Sequence, residues 1–157
     1  MQNVQLVTFQ ISNNLYGIDI MDVDSIVDIE NIRDLPNSPN YAKGIFNLRG
    51  EIIPLIDLKE RFHLQKLESK EEEALGSYVL INFDDTKLAI IIGKLAGVTL
   101  VDIDDIKDPP EIVAGIGAKY IHGIVEEDDN YLTILNVRSI FSKEELDNLA
   151  RLVLDNS

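Results

Sequence analysis

The chain of 157 residues has no cysteine and no tryptophan, two histidines, two methionines and five prolines. Without cysteine there is no disulfide framework and no thiol chemistry, which fits a reducing compartment such as the cytoplasm. Lysine and arginine number 14 against 28 aspartates and glutamates, a formal net charge of −14. That shortage of positive charge argues against non-specific binding to nucleic acid or anionic lipid, since both depend on basic patches. No apolar run approaches the ~18 residues of a membrane helix, and the N-terminus lacks a signal peptide's basic and apolar regions. What is present is 45% apolar residues, enough for a core in one domain or two small interlocked ones.

The chain reads as mainly β. Gln5–Ile11 and Leu15–Ile20 are expected strands around an Asn13-Asn14 turn, with Tyr16, Ile18 and Ile20 on one face. In Met21–Ile29, Val23, Ile26 and Val27 fit one helical turn, while Val27 and Ile29 also suit the start of a strand. Pro36 and Pro39 mark a loop. Two apolar runs, Gly44–Leu48 and Ile52–Ile56, then flank Arg49-Gly50-Glu51, which predicts a hairpin with a three-residue connection and a left-handed or bulged glycine. Pro54 argues that the second strand lies at an edge or carries a bulge. Asp57 is placed to cap a short helix, Leu58–Leu64. The polar stretch Gln65–Gly76 reads as a mobile connector. Ser77–Phe83, Asp84-Asp85-Thr86 and Lys87–Ile92 restore the strand–turn–strand order, and Ser142 with Glu145 forms a capping box for a C-terminal helix over 142–155.

The two halves repeat each other. Tyr41-x-Lys43-Gly44-Ile45 is answered by Tyr120-x-His122-Gly123-Ile124, and Asp57-Leu58-Lys59-x-x-Phe62 by Asn136-Val137-Arg138-x-x-Phe141, with a constant offset (120 − 41 = 141 − 62 = 79). The opening hairpins, together with the segments after them, repeat at another (90 − 18 = 95 − 23 = 98 − 26 = 72). The seven extra residues fall around Pro109-Pro110, Gly115 and Gly117. One β unit used twice predicts paired small barrels, with subdomain 1 over 15–64, the connector over 65–76 and subdomain 2 over 77–141.

Signals for chemistry are sparse. His63 and His122 have no partner at metal-ligand spacing. The sequence holds no Gly-x-Ser-x-Gly elbow and no phosphate loop, and Ala114–Ala118 lacks the strand and helix that a dinucleotide site needs. Asp102, Asp104 and Asp105, and separately Asp128 and Asp129, lack calcium-loop spacing. No cofactor, metal or catalytic residue is expected. Arg49 at an apolar hairpin tip is either an ordinary solvated turn residue or a forked donor for a carboxylate at an interface. Val23 with Ile26, and Leu95 with Val98, occupy equivalent places in the repeats and are either core or a partner groove.

Tyr16-Gly17-Ile18-Asp19-Ile20, followed by Asn47-Leu48-Arg49-Gly50-Glu51-Ile52-Ile53-Pro54-Leu55-Ile56-Asp57-Leu58, closely resembles the CheW chemotaxis coupling proteins. The resemblance continues through Tyr120-x-x-Gly123 and Leu135-Asn136-Val137. It implies two small five-stranded β-barrels and a non-catalytic, cytoplasmic adaptor between chemoreceptor tips and the regulatory domain of the histidine kinase CheA. Such an adaptor is expected to be a monomer when free and a member of rings or arrays when assembled, with no direct membrane insertion. Carried over, the receptor groove comprises Val23, Ile26, Asn47, Arg49, Leu95 and Val98, and the kinase contact Lys43 and Gly44. Many members pair the hairpin Arg with a Glu where this chain has Ser25, with Asp22 and Asp24 as nearby substitutes. The alternative is a CheW-like regulatory module of another two-component pathway or of a CheA- or CheV-type protein, where the same module occurs, and this length suggests a stand-alone form. A small ligand-binding barrel is the reading from another class.

Overall fold

The computed structural model describes residues 2–11, 14–29, 31–62, 77–83, 86–92, 94–113, 116–127 and 130–155. The expected connector, 65–76, lies outside them, as do His63, Gly115 and the Asp84-Asp85 and Asp128-Asp129 turns. Twelve strands are described: β1 (Asn3–Ile11), β2 (Asn14–Asp19), β3 (Val23–Asp28), β4 (Ala42–Leu48), β5 (Glu51–Asp57), β6 (Ser77–Phe83), β7 (Thr86–Ile91), β8 (Lys94–Asp102), β9 (Ile112–Val113), β10 (Ile116–Gly117), β11 (Ile121–Glu127) and β12 (Asn130–Leu135). The described α-helices are α1 (Leu58–Arg61), α2 (Val137–Ile140) and α3 (Lys143–Asp155).

Two five-stranded sheets dominate, in the orders β11-β12-β2-β1-β8 and β3-β6-β7-β5-β4. They do not follow the expected division into 15–64 and 77–141. The first sheet takes β1 and β2 from the first half and the rest from the second; the other takes β6 and β7 from the second half. Each repeat lends its opening hairpin to the other. The docking is parallel and equivalent in both places, β12 on β2 through Ile134↔Gly17 and β5 on β7 through Leu55↔Ala89.

Both faces of each sheet are apolar. Val7, Phe9, Tyr16 and Ile18 of one sheet join Ile45, Ile56, Val79, Ile81, Leu88 and Ile90 of the other in the central core. Leu6, Val125, Leu132 and Ile134 form a separate cluster on the far face of the first sheet, and Phe46, Leu55, Leu80 and Ala89 on the far face of the second. Successive strand residues point to opposite faces, so Ile45–Phe46, Leu55–Ile56 and Leu88–Ala89–Ile90 each divide between two cores. This explains runs with no polar alternation.

The repeat also extends to irregularities. Asp24 is skipped between Val23↔Ile81 and Ser25↔Leu80, and its counterpart Ala96 between Leu95↔Phe9 and Gly97↔Thr8. Lys43 and its counterpart His122 are bulged in the same way on β4 and β11. Beside each, a crossing segment covers a strand edge through paired hydrogen bonds, Arg33 with Ile45 and Lys107 with Ile124. The crossings need glycine. A Cβ on Gly44 would lie 2.5 Å from the Arg33 carbonyl oxygen, and one on Gly123 would collide with Ile106.

Several local expectations change. Met21–Ile29 is a single 3₁₀ turn, Ile20–Asp22, followed by β3, because pairing with β6 favours the β-branched Val23, Ile26 and Val27 as strand. Pro54 lies inside β5 with no bulge there. Ile45 uses both backbone groups on Arg33, so the Ile45–Pro54 pair needs no N–H from the proline. The glycine-containing stretch after Pro110 includes the short pair β9–β10. Asp57 Oδ1 does cap α1, accepting from Lys59 N–H at 2.9 Å, but the helix is shorter than expected and ends at Arg61, with Phe62 its C-cap.

Candidate interaction surface

The β4–β5 connection has two residues, not three, because Leu48 pairs directly with Glu51. Arg49 and Gly50 have φ of 53° and 87°. Positive φ at both central positions is the geometry of a type I′ turn, which suits the twist of a hairpin but is uncommon for arginine. Asn47 holds the turn, its Oδ1 accepting from Gly50 N–H at 2.9 Å. Arg49 is exposed and makes no ion pair among the described residues. Neither nearby acid replaces the absent Glu: Asp22 faces Arg138 at 3.5 Å, and Asp24 makes no ion pair among the described residues.

The apolar candidates lie on β3 and β8, which end the two sheets. The register makes them equivalent, Val23↔Ile81 matching Leu95↔Phe9 and Ile26↔Val79 matching Val98↔Val7. Ile26, Leu95 and Val98 are 41%, 38% and 57% exposed, so these three are surface rather than core. Val23 is half-buried and packs against the central core. On the β4 bulge, Lys43 is exposed and pairs with Glu60 at 3.4 Å, while Gly44 is buried beneath Arg33.

His122 lines a hollow of about 440 Å³ with Asp19, Asp22, Asn136 and Arg138, a grouping not evident from their spacing. Asp19 accepts from Met21 N–H at 2.9 Å and Asp22 pairs with Arg138, so both carboxylates are engaged elsewhere. Asp102 likewise caps its own turn, accepting from Asp104 N–H at 2.9 Å. Among the described residues, no three metal-ligating side chains are grouped to hold an ion. No described helix is long and apolar enough to cross a membrane.

Arg61 is a half-buried polar centre that no local sequence signal marks. Its guanidinium donates to the Ile140 carbonyl at 3.0 and 2.7 Å and pairs with Glu145 at 2.9 Å. It lies 5.4, 5.7 and 5.1 Å from the Tyr41, Tyr120 and Phe141 ring centroids. These residues sit on a pseudo-two-fold axis: Tyr41 packs on Phe141 and its counterpart Tyr120 on Phe62, both at 5.3 Å. Arg61 and Ile140 are themselves counterparts (140 − 61 = 79). The long-range signal is the repeat, since residues on such an axis meet their own equivalents. Tyr41 has its pKa raised, first by burial and then by the Glu145 charge, with Arg61 opposing.

Comparison with known proteins agrees with this architecture. A family model described as CheW-like domain matches residues 5–145. A protein named chemotaxis protein CheW from Treponema pallidum is 49% identical over 153 residues, covering 96% of this chain and 89% of the relative. One of the same name from Helicobacter pylori is 30% identical, covering 90% and 83%. A crystal structure titled scaffolding protein TtCheW, from Thermoanaerobacter tengcongensis, superposes with a TM-score of 0.79 at 31% identity, covering 92% of each chain. The chain therefore belongs to the CheW-like domain family.

Proposed function

We propose that this protein is a non-catalytic coupling adaptor of chemotaxis signalling, joining the cytoplasmic tips of chemoreceptors to the regulatory domain of the kinase CheA. The observation that carries this reading is the pair of equivalent edge strands that expose apolar side chains, Ile26 on β3 beside half-buried Val23, and Leu95 and Val98 on β8. Exposed apolar groups clustered on sheet edges favour a partner surface. Arg49 and Asn47 at the β4–β5 hairpin tip are assigned to its polar rim as forked and amide donors. The adaptor works in the cytoplasm, recruited to membrane-associated receptor arrays.

The kinase contact is assigned to the β4 bulge. Lys43 presents the charge, and Gly44 keeps the bulge under the Arg33 crossing. Because each sheet mixes both repeats around a pseudo-two-fold axis, the protein offers two related ends, His122 taking the place of Lys43 at the second. Two related ends suit alternation with a kinase domain in a ring.

Titration calorimetry against a receptor cytoplasmic fragment and the CheA regulatory domain tests the reading. Binding to both, with a ternary complex, is expected. Binding to neither folded bait overturns it. The variant Arg49→Glu should weaken receptor binding while its unfolding curve stays cooperative, and an unchanged receptor affinity would remove Arg49 from the site.

A further inference from the structure

We propose that the receptor-facing surface continues past Val23 and Val98 to Met21 and Leu100, and that the receptor segment it holds carries a lysine or arginine placed against Asp24. This extension rests on the receptor-coupling reading above. Its starting point is exposure: Met21 is 85% and Leu100 61% exposed, although each lies close to an element that packs well. Leu100 is two residues beyond Val98 on β8 and on the same face, as the pairings Val7↔Val98 and Gln5↔Leu100 show. Met21 and Leu100 line one hollow of about 350 Å³ across the start of β1. Met21 also lines a second, of about 310 Å³, with Val23, Asn82, Asp24 and the paired Asp22 and Arg138, so two carboxylates face one cation there. Met21 thus links Leu100 on β8 to Val23 at the start of β3.

Charge complementarity selects the occupant. Asp19, Asp22 and Asp24 surround Met21, and two are already engaged: Asp19 holds the Met21 N–H and Asp22 faces Arg138. Asp24 is exposed, with no ion pair among the described residues. The β3 bulge takes it out of the ladder beside the second hollow, and bulges commonly re-aim a side chain in this way. At the equivalent bulge on β8 the residue is Ala96, so the carboxylate belongs to one side of the groove only. A partner whose apolar stripe is flanked by one cation satisfies both the hollows and Asp24. The unbranched Met21 side chain adapts its shape to such a stripe.

The experiment titrates a receptor cytoplasmic fragment onto the wild-type protein, Met21→Ser/Leu100→Gln, and Asp24→Lys, with CheA regulatory-domain binding as the control for fold. Expected are a roughly tenfold higher receptor Kd for the double variant and a several-fold rise for Asp24→Lys. The second effect should shrink as salt is raised toward ~0.5 M, where exposed charges are screened. Kinase affinity should stay at the wild-type value. Wild-type receptor affinity in both variants overturns the extension and leaves the coupling reading standing. Failure of the wild type itself to bind the fragment overturns both.

Discussion

Arg49 is held at φ 53° with nothing among the described residues to hold it there but the turn. Left-handed backbone costs a non-glycine residue ~1–2 kcal/mol, and such outliers concentrate at binding sites. Replacing Arg49 by Asn, which tolerates that region, should therefore stabilise the protein by about 0.5–1 kcal/mol while weakening receptor binding. Urea unfolding reads the first effect as a higher midpoint at constant slope, and calorimetry reads the second. An unchanged midpoint would mean that the turn carries no strain. Gly44→Ala should behave oppositely, losing about 2 kcal/mol because its Cβ meets backbone rather than a movable side chain. Loss of kinase binding in that variant would then report the bulge, and Lys43→Ala is the cleaner probe of contact. The hairpin itself was legible from Asn47-Leu48-Arg49-Gly50, but its length was not. A type I′ turn with arginine in first position runs against residue preference, so propensity alone favours a longer connection.

At the scale of elements, the C-terminal helix was legible because its signals are local. The capping box forms, Ser142 Oγ accepting from Glu145 N–H at 3.1 Å and Glu145 Oε1 from Ser142 N–H at 2.9 Å. Leu149 is buried, with Leu146 and Val153 packed beside it. The second use of Glu145 was not visible: the same oxygen receives Arg61, joining the cap to the pseudo-two-fold axis. Ser142→Ala should cost about 1 kcal/mol, a typical cap. Arg61→Met should cost more, about 2–3 kcal/mol, because the Ile140 carbonyl and Glu145 both lose a charged donor. Thermal melts of the two variants order them, and an Arg61→Met midpoint above that of Ser142→Ala would show the cluster to be dispensable. The raised pKa values of Tyr41 and Tyr16 give an alkaline signature. Burial is the leading cause at both, so the folded state keeps its phenols protonated at pH values where unfolded tyrosine ionises. Their contribution is complete below pH ~10 and is lost as pH rises beyond it. Unfolding midpoints should fall above that pH, and less steeply in Tyr16→Phe.

For the whole molecule, the repeat could be read from two constant offsets, and with it the pairing of Val23 with Leu95 and of Ile26 with Val98. The exchange of hairpins could not. A β1–β2 hairpin placed against its own repeat's β5 would make the same kind of parallel contact that β2 makes with β12, so no residue pattern distinguishes the two arrangements. Only long-range pairing decides it, as in domain swapping. The consequence is testable by division. A fragment covering residues 1–70 retains β1–β5 but lacks β6 and β7, which lie between β3 and β5 in their sheet, and β8 and β12, which flank β1 and β2 in the other. Neither sheet can then close its ladder, and the central core loses Val79, Ile81, Leu88 and Ile90. Each half alone should give circular dichroism and proton spectra of an unfolded chain, whereas mixing 1–70 with 71–157 should restore both and produce a heterodimer of native mass. A fragment 1–70 that folds cooperatively by itself would mean that β1 and β2 can serve their own repeat. In that case the exchanged hairpins would be one of two accessible arrangements rather than a requirement of the fold.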